Sequence, residues 1–154
     1  MDISDEQTSI NILLADDDND DRLFFDRALK ALSIPTRLRA VEKGEKLMDY
    51  LVKNSSQLPD VLFLDFNMPR KNGYECLAEI KLNDKLKQLP VIIYSTSLHD
   101  DVADLLYKNG AYYYIRKSNQ PELKKILFHV LNLIAEKKFV RPTIDKFVLS
   151  LVEI

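Results

Sequence analysis

The sequence predicts an α/β fold in which a five-stranded parallel sheet lies between two layers of helices. Short apolar runs alternate strictly with segments whose apolar residues recur at helical spacing, and each kind occurs five times. Two of the runs, "VLFLD" and "VIIYS", are apolar almost throughout, which is typical of strands buried on both faces. Because parallel crossovers are right-handed, this alternation predicts a doubly wound sandwich.

The predicted strands are rich in Ile, Val, Leu and Tyr, which favour extended structure. They span residues 10–15, 36–41, 60–65, 90–95 and 111–116. The predicted helices carry their apolar residues on one face. They span residues 19–32, 44–54, 73–83, 99–110 and 120–138.

The chain has 154 residues, so we expect one domain, at 1–138. Pro142 interrupts the helical pattern, and residues 139–154 are therefore expected to form a C-terminal extension. The apolar side chains of this extension either pack on the domain or contact a partner or a second copy in a homodimer, and the sequence leaves both alternatives open. These side chains belong to Phe147, Val148, Leu149, Leu151, Val152 and Ile154.

Composition excludes several classes of function. The net charge is −2 and no basic stripe is present, so we expect no nucleic-acid partner. The N-terminal residues do not resemble a signal peptide, and no apolar run approaches the roughly 20 residues that span a bilayer, so we expect a cytoplasmic protein without a membrane partner. Gly44, Gly73 and Gly110 lie at element junctions, and none belongs to a phosphate-binding loop.

Polar residues stand at the ends of four predicted strands. In open parallel sheets, ligands bind beyond the carboxyl ends of the strands, so these side chains are expected to lie near one another. The first strand ends in an acidic pair, the third in a carboxylate followed by an amide, the fourth in a hydroxyl and the fifth in an ammonium group. In chain order they are Asp16 and Asp17, Asp65 and Asn67, Ser95, and Lys117.

The acidic residues predict a metal site. Carboxylates roughly 4 Å apart repel by about 1 to 4 kcal/mol per pair unless a cation holds them together. The candidate ligands are all oxygen atoms, which favour Mg²⁺ or Mn²⁺ over zinc. Lys117 and Ser95 would then offer the charge and the hydrogen bond that a phosphoryl group needs. Asp18, Asp20 and Asp21 are assigned to the start of the first helix, where the helix dipole favours acids.

These separated motifs resemble the receiver domain of two-component response regulators. The similarity extends from about Ile10 to Lys137 and includes the acidic pair, the segment "DFNMPRKNG" that begins with Asp65, and the later hydroxyl and lysine. The resemblance implies the flavodoxin-like strand order 2-1-3-4-5.

The resemblance also implies a role for each residue. Asp65 would accept a phosphoryl group from the phosphohistidine of a sensor kinase, of the hybrid or photoreceptor type. Lys117 and Ser95 would bind the phosphoryl oxygens, and Tyr114 would turn inward as Ser95 moves, which changes the surface of the fourth helix, fifth strand and fifth helix for a downstream protein target. The implied metal ligands are Asp16, Asp17, Asp65 and the backbone carbonyl of Asn67.

Two positions depart from the family pattern. Ser118 follows Lys117 where the family usually has a proline after a cis peptide, and a cis bond before a non-proline residue would cost roughly 2.5 to 4 kcal/mol. The sequence therefore does not predict the shape of this loop. Thr96 stands where the family often has a smaller residue, so the rate of dephosphorylation is left open.

The function we expect is that of a stand-alone switch, which is not an enzyme beyond its own phosphotransfer and autodephosphorylation. One alternative is a phosphatase or phosphotransferase of the haloacid-dehalogenase type, which requires a second acid two residues after the nucleophile. Asn67 stands at that position. A second alternative, a non-phosphorylated scaffold, is disfavoured by the intact acidic pair and lysine.

Overall fold

The structure is a computed structural model that describes residues 9–97 and 99–151. It contains β1 (Ile10–Ala15), β2 (Thr36–Val41), β3 (Val61–Asp65), β4 (Val91–Ser95) and β5 (Tyr113–Arg116). All neighbouring strands pair in parallel, in the order β2-β1-β3-β4-β5. The predicted fold class and strand order are confirmed.

Within residues 9–97 and 99–151, an α-helix follows each of the five strands, as predicted. They are α1 (Asn19–Lys30), α2 (Gly44–Lys53), α3 (Gly73–Leu82), α4 (Asp100–Lys108) and α5 (Gln120–Ala135). The last helix ends three residues earlier than predicted, where Lys137 adopts a left-handed φ of 59° that an α-helix does not continue through. No helix within the described ranges is long and apolar enough to cross a membrane.

Short polar side chains fix where three of the helices begin. The carboxylate of Asp18 accepts hydrogen bonds from the first-turn N–H groups of Asp20 and Asp21. Asn72 forms a capping box with Glu75 at the start of α3, and Asn119 caps α5. These caps place each helix start beside a strand end, at the edge of the sheet where the candidate residues lie.

The sheet has a separate apolar core on each face. Side chains alternate along β1, so Ile12 and Leu14 enter one core and Leu13 and Ala15 enter the other. Helices α1 and α5 cover the first core, and α2, α3 and α4 cover the second. Both central strands, β3 and β4, are buried at every position, in agreement with their apolar sequences.

The C-terminal extension lies along the outer edge of β5. The N–H of Tyr114 donates to the carbonyl of Phe147 at 3.0 Å, and the N–H of Leu149 donates to the carbonyl of Tyr114 at 3.0 Å. Phe147 is 2% exposed and Leu149 is 6% exposed, so both side chains belong to the cores of the domain. Val148 and Leu151 are partly buried, and Val152 and Ile154 lie outside the described residues.

Arg141 anchors the extension further upstream. Its guanidinium carbon lies 3.7 Å from the centre of the Tyr107 ring on α4. Its Nε donates to the carbonyl of Ala111 at 3.1 Å, and a second nitrogen donates to the carbonyl of Tyr107. The hydroxyl of Tyr107 in turn donates to the carbonyl of Pro142 at 2.8 Å. The extension is thus held to α4 before it reaches β5.

Candidate functional site

The carboxyl ends of β1 and β3 bring three acidic residues together. Ala15 pairs with Leu64, so the residue that follows β1 and the last residue of β3 emerge side by side. Asp16, Asp17 and Asp65 each offer one carboxylate oxygen, and these oxygens lie within 4.8 Å of one another. Three of the predicted metal ligands therefore converge, with Asp16 and Asp65 buried and Asp17 exposed.

Asp65 is held rigidly by the loop that follows it. The N–H of Gly73 donates to the carbonyl of Phe66 at 2.9 Å, which closes the loop between β3 and α3. A Cβ atom at Gly73 would lie 2.6 Å from the carbonyl oxygen of Asp65, so only glycine permits this close approach. Within the loop, Arg70 adopts a left-handed φ of 68°.

The environment of Asp65 disfavours its ionised form. Burial raises the pKa of its carboxyl from 3.8 to about 7, and the negative charge of Asp16 acts in the same direction, while Lys117 opposes them. Only 3% of the residue is exposed. Buried carboxylates that repel one another need a compensating cation, and an all-oxygen donor set fits a hard divalent ion.

Lys117 crosses the pocket from the end of β5 to the end of β1. Its Nζ lies 2.8 Å from Oδ2 of Asp16, 2.9 Å from Oδ2 of Asp21 and 3.6 Å from Oδ2 of Asp65. The side chain passes the ring of Tyr94, whose centre is 5.1 Å from Nζ. Burial lowers the pKa of Lys117, but the hydrogen bonds that it donates to Asp16 and Asp21, together with the negative charge of Asp65, raise the pKa overall.

The ion pair with Asp21 corrects the sequence assignment. The sequence predicts only a helix-start role for Asp21, yet its carboxylate also accepts a hydrogen bond from the candidate lysine. The two residues are 96 positions apart, and the lysine side chain reaches past β3 and β4, so no local pattern indicates the pair. Asp18 matches its assignment, because it caps the helix.

Asn67 and Ser95 form the other side of the pocket. The N–H of Asn67 donates to Oδ1 of Asp65 at 3.2 Å, and its side-chain Nδ2 donates to Oγ of Ser95 at 3.4 Å. Ser95 is fully buried, and its carbonyl accepts the N–H of Lys117 at 2.7 Å. The structure therefore gathers all six predicted residues of the strand ends at one edge of the sheet.

Tyr114 lies just behind this pocket, with its ring inside the protein. It is 1% exposed, and its hydroxyl donates to the carbonyl of Ser97. Burial raises the pKa of the phenol, and the nearby Ser95 side chain lowers it by a smaller amount. The ring therefore already lies inside the protein while Ser95 is hydrogen-bonded to Asn67, and the switch role of Tyr114 stays a prediction.

The loop after Lys117 has an ordinary backbone. No cis peptide bond occurs among the described residues, so the bond between Lys117 and Ser118 is trans. Oγ of Ser118 is buried without a hydrogen-bond partner in the described part of the chain. Nε2 of Gln120 donates to the carbonyl of Phe24 at 2.8 Å, which ties the loop to α1. Thr96 is exposed.

Comparison with known proteins gives the family. The model of the response regulator receiver domain matches residues 12–128, which include every candidate site residue named above. The chain belongs to the receiver-domain family. The resemblance inferred from the motifs is confirmed, and receiver domains are in general signalling proteins rather than enzymes.

Several individual receiver proteins are similar over most of the chain. Response regulator Rcp1 of Synechocystis sp. is 34% identical over 121 residues, which cover 75% of this chain and 82% of that protein. The phosphorylated cyanobacterial phytochrome response regulator RcpA is 31% identical, with a TM-score of 0.76 over 84% of this chain and 96% of that one. The Mn²⁺-bound form of Rcp1 is 30% identical, with a TM-score of 0.72 over 87% and 99%.

These relatives bear on metals and partners. Receiver domains of this kind work with histidine kinases or phytochromes. The acidic cluster of this chain fits the divalent metal binding of receiver domains, of which Mn²⁺-bound Rcp1 is a solved case.

Proposed function

We propose that the chain is a cytoplasmic signalling switch in which Asp65 accepts a phosphoryl group from a histidine kinase. The supporting observation is the convergence of one buried strand-end carboxylate with two further acids and one ammonium group. Because RcpA, a phytochrome response regulator, is 31% identical, we propose that the kinase is of the photoreceptor type.

Phosphotransfer forms one bond and breaks another. A carboxylate oxygen of Asp65 attacks phosphorus, the P–N bond of the kinase phosphohistidine breaks, and its electron pair returns to the imidazole. The product is an acyl phosphate. Lys117, whose Nζ is 3.6 Å from the Asp65 carboxylate, donates a hydrogen bond to a phosphoryl oxygen, and its charge stabilises the transferred group.

The acidic trio forms the proposed metal site. Mg²⁺, or Mn²⁺ in its place, would supply positive charge to the phosphoryl oxygens. The residues that would hold it are Asp16, Asp17, Asp65 and the carbonyl of Asn67. The oxygen donors fit such an ion, and their mutual repulsion gives it a stabilising role.

The signal is proposed to leave the pocket through Ser95 and Tyr114. The hydroxyl of Ser95, which accepts a hydrogen bond from Asn67, would exchange that partner for a phosphoryl oxygen. Tyr114 would then adjust its hydroxyl contact and its ring packing, which alters the surface formed by α4, β5 and α5. Because the C-terminal extension pairs with Tyr114, we include the extension in the surface that a downstream protein reads.

Acetyl phosphate is a direct test, because attack by Asp65 breaks its P–O bond and releases acetate. With Mg²⁺ present, intact-mass measurement is expected to show one added phosphoryl group on the wild type and none on Asp65→Asn. Asp60→Asn is a matched control, since Asp60 is an exposed acid at the other end of β3, and it should be labelled like the wild type.

The same experiment separates the alternatives. Steady hydrolysis of phosphate esters without retained label would support a phosphatase or phosphotransferase of the haloacid-dehalogenase type. An unlabelled wild type under these conditions would support the scaffold. Either result would contradict the proposed switch.

A further inference from the structure

The ammonium group of Lys117 has two fixed partners and one nearby carboxylate. It has three N–H groups, and two of them donate hydrogen bonds to the carboxylates of Asp16 and Asp21, at Nζ–Oδ2 distances of 2.8 and 2.9 Å. Nζ lies 3.6 Å from Oδ2 of Asp65, so the ammonium group is close to the candidate phosphoacceptor but makes no short hydrogen bond with it. The lysine is 10% exposed at its side chain, which limits the other positions it can take.

The two fixed partners differ in what else they do. Asp16 belongs to the acidic trio that could hold one metal ion, and its Oδ1 also accepts the N–H of Asp18 at 3.0 Å. Asp21 lies outside that trio, and its side chain is 37% exposed. When the three acids of the trio bind a cation, Asp21 is therefore the partner whose negative charge still pairs with Lys117.

Asp21 is also well placed to act as a fixed anchor. It lies in the first turn of α1, and its N–H donates to Oδ1 of Asp18 at 3.1 Å within the helix cap. The anchor is thus mounted on a capped helix, and its position does not depend on a mobile loop.

We propose that Asp21 is a positioning residue, which holds Lys117 so that its free N–H meets the phosphoryl group arriving at Asp65. The inference rests on the proposed function and adds a residue to it. Without Asp21, the ammonium group would keep Asp16 as its one short hydrogen-bond partner, and its other N–H groups would alternate between Asp65 and water. The transferred phosphoryl group would then meet a lysine that is oriented only part of the time.

The kinetic test compares two acids of the same helix turn. Asp21→Asn and Asp20→Asn each remove one negative charge from the first turn of α1, but Asp20 is exposed and makes no ion pair with any described residue. At saturating Mg²⁺, we expect Asp21→Asn to take up phosphoryl from acetyl phosphate about tenfold more slowly than the wild type. Asp20→Asn should stay within about twofold, and Asp21→Glu should recover most of the rate.

A second readout uses the metal-free protein. The side-chain NH₃⁺ signal of a lysine is observed by ¹H–¹⁵N NMR when hydrogen bonds slow its exchange with water. We expect a Lys117 signal, assigned with Lys117→Arg, in the wild type and in Asp20→Asn, and its loss in Asp21→Asn. Thermal unfolding of each variant establishes that the fold is intact.

The outcomes separate the two claims. If the wild type is labelled and Asp21→Asn matches Asp20→Asn in rate and NMR signal, the positioning role is wrong while the proposed function stands. A faster Asp21→Asn would mean that Asp21 competes with the phosphoryl group, which also overturns the role. If the wild type takes no label, the proposed function fails and the role in phosphotransfer fails with it.

Discussion

Two neighbouring regions of the molecule are expected to contribute to its stability with opposite signs. The acid pocket, formed by Asp16, Asp17, Asp65 and Lys117, gathers three carboxylates, and two of them, on Asp16 and Asp65, lie within 4 Å of the ammonium group. The tail edge, formed by residues 147–149 beside β5, buries apolar side chains, and its backbone forms hydrogen bonds with the backbone of the strand. Above about pH 7, the buried carboxylate of Asp65 in the first region is expected to oppose folding of the metal-free protein, and the second region is expected to favour folding.

The residues of the candidate site are therefore not the ones expected to stabilise the fold. Burial raises the pKa of Asp65 to about 7, so above that pH the fold contains a carboxylate that would be better solvated in the unfolded chain. The ring of Phe147 instead packs edge-on against Tyr107 at 5.3 Å and Tyr114 at 6.3 Å between ring centres. Tyr114 connects the two regions, because its hydroxyl bonds to the segment after β4 and its ring contacts the tail.

Loss of the Phe147 ring should produce the largest change. Phe147→Ala is expected to lower the free energy of unfolding by about 3 to 5 kcal/mol, because it leaves a cavity against two aromatic rings. Urea unfolding measures the change. Phe128→Ala is the control, since Phe128 on α5 is 48% exposed, and it should change stability by less than about 1 kcal/mol. Equal effects of the two variants would show that the tail does not support β5.

Removing the charge of Asp65 should raise the free energy of unfolding, whereas removing the ring of Phe147 should lower it. Without metal, Asp65→Asn is expected to raise the free energy of unfolding at about pH 8 by roughly 1 to 2 kcal/mol. The pKa of Asp65 is higher in the folded state, about 7 against 3.8, so this group's contribution to stability falls as the pH rises between those values. The gain from Asp65→Asn should therefore shrink toward about pH 4, and a gain independent of pH would contradict it.

Metal should reverse the penalty in the acid pocket alone. Mg²⁺ at about ten times its dissociation constant is expected to raise the free energy of unfolding by about 1.4 kcal/mol. Thermal shift should show this increment in the wild type and in Phe147→Ala, and should show little of it in Asp17→Asn. An increment that survives in Asp17→Asn would place the metal elsewhere.

The smallest expected effect concerns the residue between the two regions. Tyr114→Phe keeps the buried ring and removes the hydroxyl that donates to Ser97, so a loss of about 1 kcal/mol is expected in urea unfolding. Tyr112→Phe, at a partly buried position, should change stability by less than about 0.5 kcal/mol. If Tyr112→Phe lowered the free energy of unfolding as much as Tyr114→Phe, the role assigned to the Tyr114 hydroxyl would be wrong.

The central strands and most of the pocket were predictable from the sequence. The apolar runs of β3 and β4 have few alternatives to burial in a parallel sheet, and the topology then brings the strand ends together. The start of β5 was predicted two residues too early, because the N–H of Ala111 donates to the carbonyl of Leu106 and so completes the end of α4.

Long-range contacts account for what the sequence did not predict. The pair between Asp21 and Lys117 depends on a side chain that reaches past two strands, and no spacing rule describes such a reach. The extension presents an apolar pattern that suits either its own domain or a partner. Its pairing with Tyr114 depends on the path that Arg141 sets along α4, which only the folded chain shows.

Chemical mapping of the phosphoryl group tests the central claim most directly. Borohydride reduces an aspartyl phosphate to homoserine, and trypsin releases residue 65 in the peptide 54–70, which also contains Asp60. After incubation with acetyl phosphate and Mg²⁺, fragment masses are expected to place homoserine at position 65 and to leave position 60 unchanged. Homoserine at another aspartate, or a fully labelled protein with Asp65 intact, would contradict the account.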